Sequence, residues 1–131
     1  MEAKLKRGIH LIVDRYAYSG VAYGMTKGLD ATWSRASDVG LLRPDLTFFM
    51  DIAPEVAAKR GDYGGERYEA IDFQKQTYAH FQTLSRDVPE WRNINADRDK
   101  SAIHQEIQEQ VDAYLVKLEK EDAPLRFDLF R

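Results

Sequence analysis

Apolar residues along the chain fall into two kinds of pattern. A more polar stretch at 91–96 predicts a short third strand, whereas short, nearly unbroken runs lie at 9–13 and at 46–52. Such runs, rich in β-branched and aromatic residues and lacking polar alternation, predict strands buried on both faces, as in a parallel sheet. Longer segments repeat every three to four residues. Phe73, Thr77, Phe81 and Leu84 make one stripe; Ile103, Ile107, Val111, Tyr114, Leu115 and Leu118 make another. These predict helices over about 69–87, ended by Pro89, and about 100–118, capped by Asp99.

Weaker signals fill the gaps. Residues 17–28 predict a helix with Tyr16, Ser19 and Tyr23 on one face. A short helix over about 29–38 carries Trp33, and Pro44 marks a turn. Pro54 opens another helix. Gly61, Gly64 and Gly65 break the pattern and predict a mobile loop. Residues 1–7 look like the end of a helix stopped at Gly8. The tail 119–131 is acidic, then apolar, and is expected to pack back on the core or fray.

Strands alternating with helices imply βαβ units, an α/β fold around a parallel sheet. Three strands are few for this class. A thin sheet and a chain opening on a helix end predict further elements upstream.

Composition narrows the picture modestly. One domain of 131 residues, 44% hydrophobic and 31% charged, has an ordinary globular balance. The net charge of −3 argues against a general nucleic-acid binder or a polybasic membrane-surface protein. There are no cysteines, and His10, His80 and His104 lack zinc-type spacing. No run has transmembrane length and no signal-type apolar region follows the charged start. The expectation is an intracellular, cytoplasmic protein, with nucleus and mitochondrion as open alternatives.

Candidate chemistry gathers at the expected carboxyl ends of the strands, where α/β sheets bind ligands. Asp14 and Arg15 follow the first run. A carboxylate suits hydrated Mg²⁺ and a guanidinium grips phosphate with two hydrogen bonds; the same pair suits an ordinary surface ion pair equally well. Asn95-Ala96-Asp97-Arg98 follows the third expected strand. The glycine-rich loop carries Arg60, Glu66, Arg67 and Tyr68. Arginines on a mobile loop suit a lid that closes over a transferring phosphoryl group, and a solvated surface loop is the other reading.

Several collinear segments carry a resemblance. Asp14-Arg15-Tyr16-Ala17-Tyr18-Ser19-Gly20-Val21-Ala22-Tyr23 resembles the DRY-centred segment of eukaryotic-type thymidylate kinases. Ser37-Asp38-Val39-Gly40-Leu41 and Arg43-Pro44-Asp45-Leu46 resemble the segment that follows it there. Ala58-Lys59-Arg60-Gly61, Gly65-Glu66-Arg67-Tyr68-Glu69 and Phe73-Gln74 resemble the lid and the helix after it. The match runs over about 8–118.

The resemblance implies a P-loop nucleoside monophosphate kinase fold, in truncated form, and transfer of the γ-phosphate of Mg-ATP to dTMP. It implies that Asp14 lies near Mg²⁺ and the phosphates and that Arg15 binds the dTMP phosphate. Ser19 and Tyr23 would line the thymidine pocket, Tyr68 would close over the deoxyribose, and Gln74 would contact the base. Tyr23, often Phe in the family, equally suits core packing. Arg60 and Arg98 would flank the adenine of ATP, with Arg98 often Lys in relatives. Arg60, Gly61, Gly64, Gly65, Glu66 and Arg67 would form the lid, where Arg67 could equally hold a structural ion pair. A homodimer is implied too.

The chain also departs from the family. It contains no Gly-x-x-x-x-Gly-Lys-Ser/Thr. In the resembled family that loop precedes the DRY segment, and its strand lies between those matching 9–13 and 46–52. Its absence predicts an open sheet with aggregation-prone edges. The lid has no cation between Arg60 and Arg67, as in eukaryotic-type members that keep their transition-state arginine in the P-loop. Two expectations follow: a dTMP kinase by family, and, for these 131 residues alone, a non-catalytic piece that at most binds nucleotide or a full-length subunit.

Overall fold

The computed structural model describes residues 1–60, 67–120 and 124–131, with backbone alone at 67–70. The helices are α1 (Glu2–Leu5), α2 (Ala17–Thr26), α3 (Ala31–Ala36), α4 (Pro54–Arg60), α5 (Arg67–Leu84) and α6 (Lys100–Leu118). A 3-10 turn at Ser85–Asp87 extends α5. The strands are β1 (Thr47–Asp51) and β2 (Trp91–Asn95).

β1 and β2 pair in parallel, Thr47 opposite Trp91 and Asp51 opposite Asn95. The crossover between them is helical, through α4 and α5, as parallel strands require. The Ala96 amide donates to the Asp51 carbonyl at 2.9 Å and prolongs the ladder past the strand ends.

The expected first strand does not form. Residues 9–13 are irregular, and among the described residues the sheet has two strands. Ile12 is fully exposed, with Ile9 and Val13 about half exposed. An apolar run becomes a buried strand only when neighbours supply ladder partners and covering faces. Among the described residues β1 pairs with β2 alone. Asp14 and Arg15 consequently sit in a bend after an irregular segment, not at a strand end.

The other elements follow their patterns closely. Asp30 caps α3 by accepting from the Trp33 amide at 2.9 Å. Asp99 caps α6 through the Ser101 amide at 2.8 Å. Gly8 sits at φ 75°, in the left-handed region that ends a helix readily only at glycine.

The core is aromatic. Ala17, Tyr18, Trp91 and Leu129 form one buried cluster, and Val21, Ala22 and Leu84 a second, with Phe81 and Phe130 packed against both. Phe49 of β1 lies 5.1 Å from Phe81 and 5.5 Å from Trp91, centroid to centroid. The expected α5 stripe holds: Thr77 and Leu84 are buried, Phe81 joins the core, and Phe73 meets Tyr23. The tail returns to the body. Gly40 donates to the Leu129 carbonyl, and Leu129 donates to the Leu41 carbonyl at 3.3 Å. No described helix is long and apolar enough to cross a membrane.

Candidate functional site

Two groups of the predicted residues assemble. The first is built on the start of α2. Arg15 has φ 61°, left-handed and unfavourable for a side-chain-bearing residue. Such conformations cost roughly 1–3 kcal/mol and persist only where their surroundings hold them. The Arg15 guanidinium lies over the Tyr23 ring, 4.8 Å from its centroid. Tyr23 in turn lies 5.9 Å from Phe73 of α5. Ser19, one helical turn before Tyr23, is half-buried. Tyr16 does not cap α2 with its side chain, and the Ser19 amide donates to the Tyr16 carbonyl at 3.0 Å.

Tyr16 does not share the helix face assigned to it. As the N-cap it is extended, at φ −139°, and its hydroxyl donates to the Leu42 carbonyl at 3.1 Å. Ser19 and Tyr23 remain on a common face. Gln74 is exposed on α5, next to Phe73. Asp14 is exposed at the bend.

The second group surrounds residues 95–98, after β2. Arg60, in the last turn of α4, donates to the Ala96 carbonyl at 2.7 Å and to Asp97 at 2.6 Å. Arg98 donates to the Asn95 carbonyl at 3.0 Å and pairs with Glu106 of α6. The two guanidinium groups thus bracket one loop, although 38 positions separate them in sequence. Planar guanidinium groups suit stacking on an aromatic face.

Sequence reasoning missed the residues that hold these groups. Tyr78 donates to Asp51 at 2.7 Å and ties α5 to the carboxyl end of β1. The hydrogen bond to Asp51, with burial, raises the Tyr78 phenol pKa. Tyr78 lies one turn after Gln74, so helical spacing could have flagged it. Asp97, the partner of Arg60, lies in the polar cluster the sequence flagged, whereas Glu106, the partner of Arg98, left no local signal.

Gly61, Gly64, Gly65 and Glu66 lie outside the described residues. Arg67 and Tyr68 open α5, and their side chains lie outside the description too.

A parallel sheet with a helical crossover is an α/β architecture. Its fold is that of part of a P-loop nucleoside monophosphate kinase, as one solved structure shows. The thymidylate kinase from Candida albicans superposes with a TM-score of 0.68 at 26% identity, covering 93% of this chain and 62% of that one. The thymidylate kinase family model matches residues 1–107. The chain is 50% identical to the thymidylate kinase of Arabidopsis thaliana over 111 residues, 85% of this chain and 41% of that protein. It is 47% identical to the Caenorhabditis elegans thymidylate kinase, covering 79% of this chain and 47% of that one. For the human thymidylate kinase the identity is 39%, over 82% of this chain and 51% of the relative. The chain belongs to the thymidylate kinase family, and it spans about half the length of these curated relatives.

Proposed function

We propose that residues 1–131 supply the dTMP pocket and the adenine-flanking arginines of a dTMP kinase, which moves the γ-phosphate of ATP to dTMP. The observation that carries this is the Arg15–Tyr23–Phe73 arrangement. A guanidinium is folded back over an aromatic ring by a left-handed backbone, at the start of a helix that the Tyr16 side chain does not cap. Phosphate is the natural ligand of amides and guanidinium together. The Tyr23 ring, with Ser19 one turn back, offers a flat apolar wall and a hydroxyl to a pyrimidine nucleoside. Gln74 and Tyr68 complete the pocket on this reading. Arg60 and Arg98 flank adenine across 95–98, and about 60–68 forms the lid.

Mg²⁺ enters with ATP as part of the substrate. No group of three or more potential metal ligands occurs among the described residues. Asp14, a single exposed carboxylate, suits a Mg²⁺ that keeps its waters and phosphate ligands. Asp14 would orient that hydrated ion, and Arg15 would hold the acceptor phosphate.

For these 131 residues by themselves, the missing Gly-x-x-x-x-Gly-Lys-Ser/Thr favours binding without turnover. Phosphoryl transfer rests mainly on electrostatic stabilisation; an arginine finger alone contributes about 10³–10⁵ in rate. A homodimer belongs to the same proposal, and sedimentation at micromolar concentration tests it.

The deciding experiment is calorimetric titration of the chain with dTMP, after a thermal melt. Saturable binding is expected, weakened at least tenfold in Arg15→Ala and in Tyr23→Ala. A folded chain that does not bind dTMP, or binds AMP better, overturns the pocket. Turnover of dTMP and ATP well above background in a coupled assay overturns the non-catalytic reading of the isolated chain.

A further inference from the structure

A second cluster of arginines lies away from this pocket. Arg35 of α3, Arg43 before β1 and Arg131 of the tail line a cleft of about 190 Å³ together with Tyr18, Glu90 and Phe130. None of the residues assigned to dTMP or ATP lines it.

The charges there are unequally satisfied. Glu90 is buried and accepts from the Tyr18 hydroxyl at 2.9 Å. Arg43 lies 3.8 Å from Glu90 and 3.3 Å from Asp128. Asp87 also lines the cleft and is exposed. Arg35 and Arg131 have no ion pair among the described residues. The Arg35 Nε is buried without a hydrogen-bond partner, while its guanidinium lies 5.6 Å from the Phe130 ring centroid. Arg131 lies across Gly40, where a Cβ would meet its Nη2 at 2.8 Å. The left-handed turn at Phe130, φ 57°, precedes Arg131 in this tail.

A buried donor left unpaired bears the full cost of its desolvation. Two guanidinium groups without carboxylate partners in one cleft provide charge and donor geometry for an oxyanion. The cleft is smaller than the roughly 300–1,000 Å³ of ordinary small-molecule sites, which suits a tetrahedral anion with its waters better than a nucleoside.

We propose that this cleft binds a phosphate-type oxyanion, gripped by Arg35 and Arg131, either as free phosphate or as the terminal phosphate of a nucleotide. The site is independent of the dTMP pocket and stands or falls separately from it.

The test is calorimetric titration of the full chain with inorganic phosphate at constant ionic strength. Measured in an Arg15→Ala background, which removes the phosphate grip assigned to the dTMP pocket, one-site saturable binding is expected, weakened at least tenfold by Arg35→Gln and unchanged by Lys27→Gln, which makes the same charge change elsewhere. A parallel titration with ADP separates the sources. If Arg35→Gln weakens phosphate alone, the ligand is free phosphate; if it weakens both, the ligand is a nucleotide's terminal phosphate. Should Arg35→Gln fail to fold by circular dichroism, Arg131→Gln takes its place. Unsaturable phosphate binding, variants that bind as tightly as the parent, or a parent chain with no cooperative melt would overturn the proposal.

Discussion

Tyr18 and Glu90 make the most consequential single contact. The phenol donates to a carboxylate that is itself buried. Tyr18→Phe keeps the ring contacts to Trp91 and Phe130 but removes the hydroxyl from Glu90. Urea denaturation at pH 7 should show a loss of about 1–3 kcal/mol, the usual cost of orphaning a buried acceptor. Burial and the bond to Glu90 raise the Tyr18 pKa above its ordinary value. The folded chain therefore holds that proton after the unfolded chain releases it. The associated stability is full below about pH 10 and is lost as pH rises further. Measured at several pH values above 10, stability should fall more steeply in the parent than in Tyr18→Phe.

Residue chemistry was legible in sequence where it was local. The Asp99 cap and the Ser19–Tyr23 spacing needed only near neighbours. Arg60 and Arg98 both reach the loop at 95–98, which the sequence marked as a polar cluster, but the pairing of Arg98 with Glu106 emerged only with the fold. Arg35 and Arg131 are 96 positions apart, and no pattern links them.

At the scale of elements, α2 and α5 are joined by a polar contact inside an apolar seam. The Thr26 and Thr77 hydroxyls lie 2.9 Å apart, and each reaches a carbonyl of its own helix, Ala22 and Phe73. A double-mutant cycle with Thr26→Val and Thr77→Val should give a coupling of about 0.5–1.5 kcal/mol, the net worth of one hydrogen bond. A coupling near zero would mean that the backbone bonds alone hold the two hydroxyls. At α6, Ser101 holds the Asp99 carboxylate below its usual range. That contribution is present above about pH 3.8, the ordinary carboxylate value, and is lost as pH falls through the lowered folded pKa. Followed by helical circular dichroism, the advantage of the parent over Asp99→Ala should therefore shrink as pH falls below about 3.8. The irregular segment 9–13 shows the limit of pattern reading. Its composition reports an affinity for burial between strands, but composition cannot supply the strands.

At the scale of the whole molecule, the exposed run and the single pairing of β1 leave apolar surface open. Ile12→Lys should leave thermal stability within about 0.5 kcal/mol, as surface substitutions do, while reducing light scattering at high concentration. A loss beyond 1.5 kcal/mol, on the order of a core substitution, would show that Ile12 is buried in solution. The tail is the opposite case. Leu129 is fully buried, and Leu129→Ala should cost about 2–5 kcal/mol by leaving a cavity, with earlier cleavage of the tail in limited proteolysis.

The position of Leu129 also bears on synthesis. It closes a cluster begun by Ala17 and Tyr18. A ribosome must release nearly the whole stretch between them before that cluster can seal. Until then Tyr18, Trp91 and Phe81 lack their cover, and contacts of such long sequence separation form slowly. Between the synthesis of Tyr18 and that of Leu129, the half-formed cluster presents the kind of apolar surface that chaperones bind.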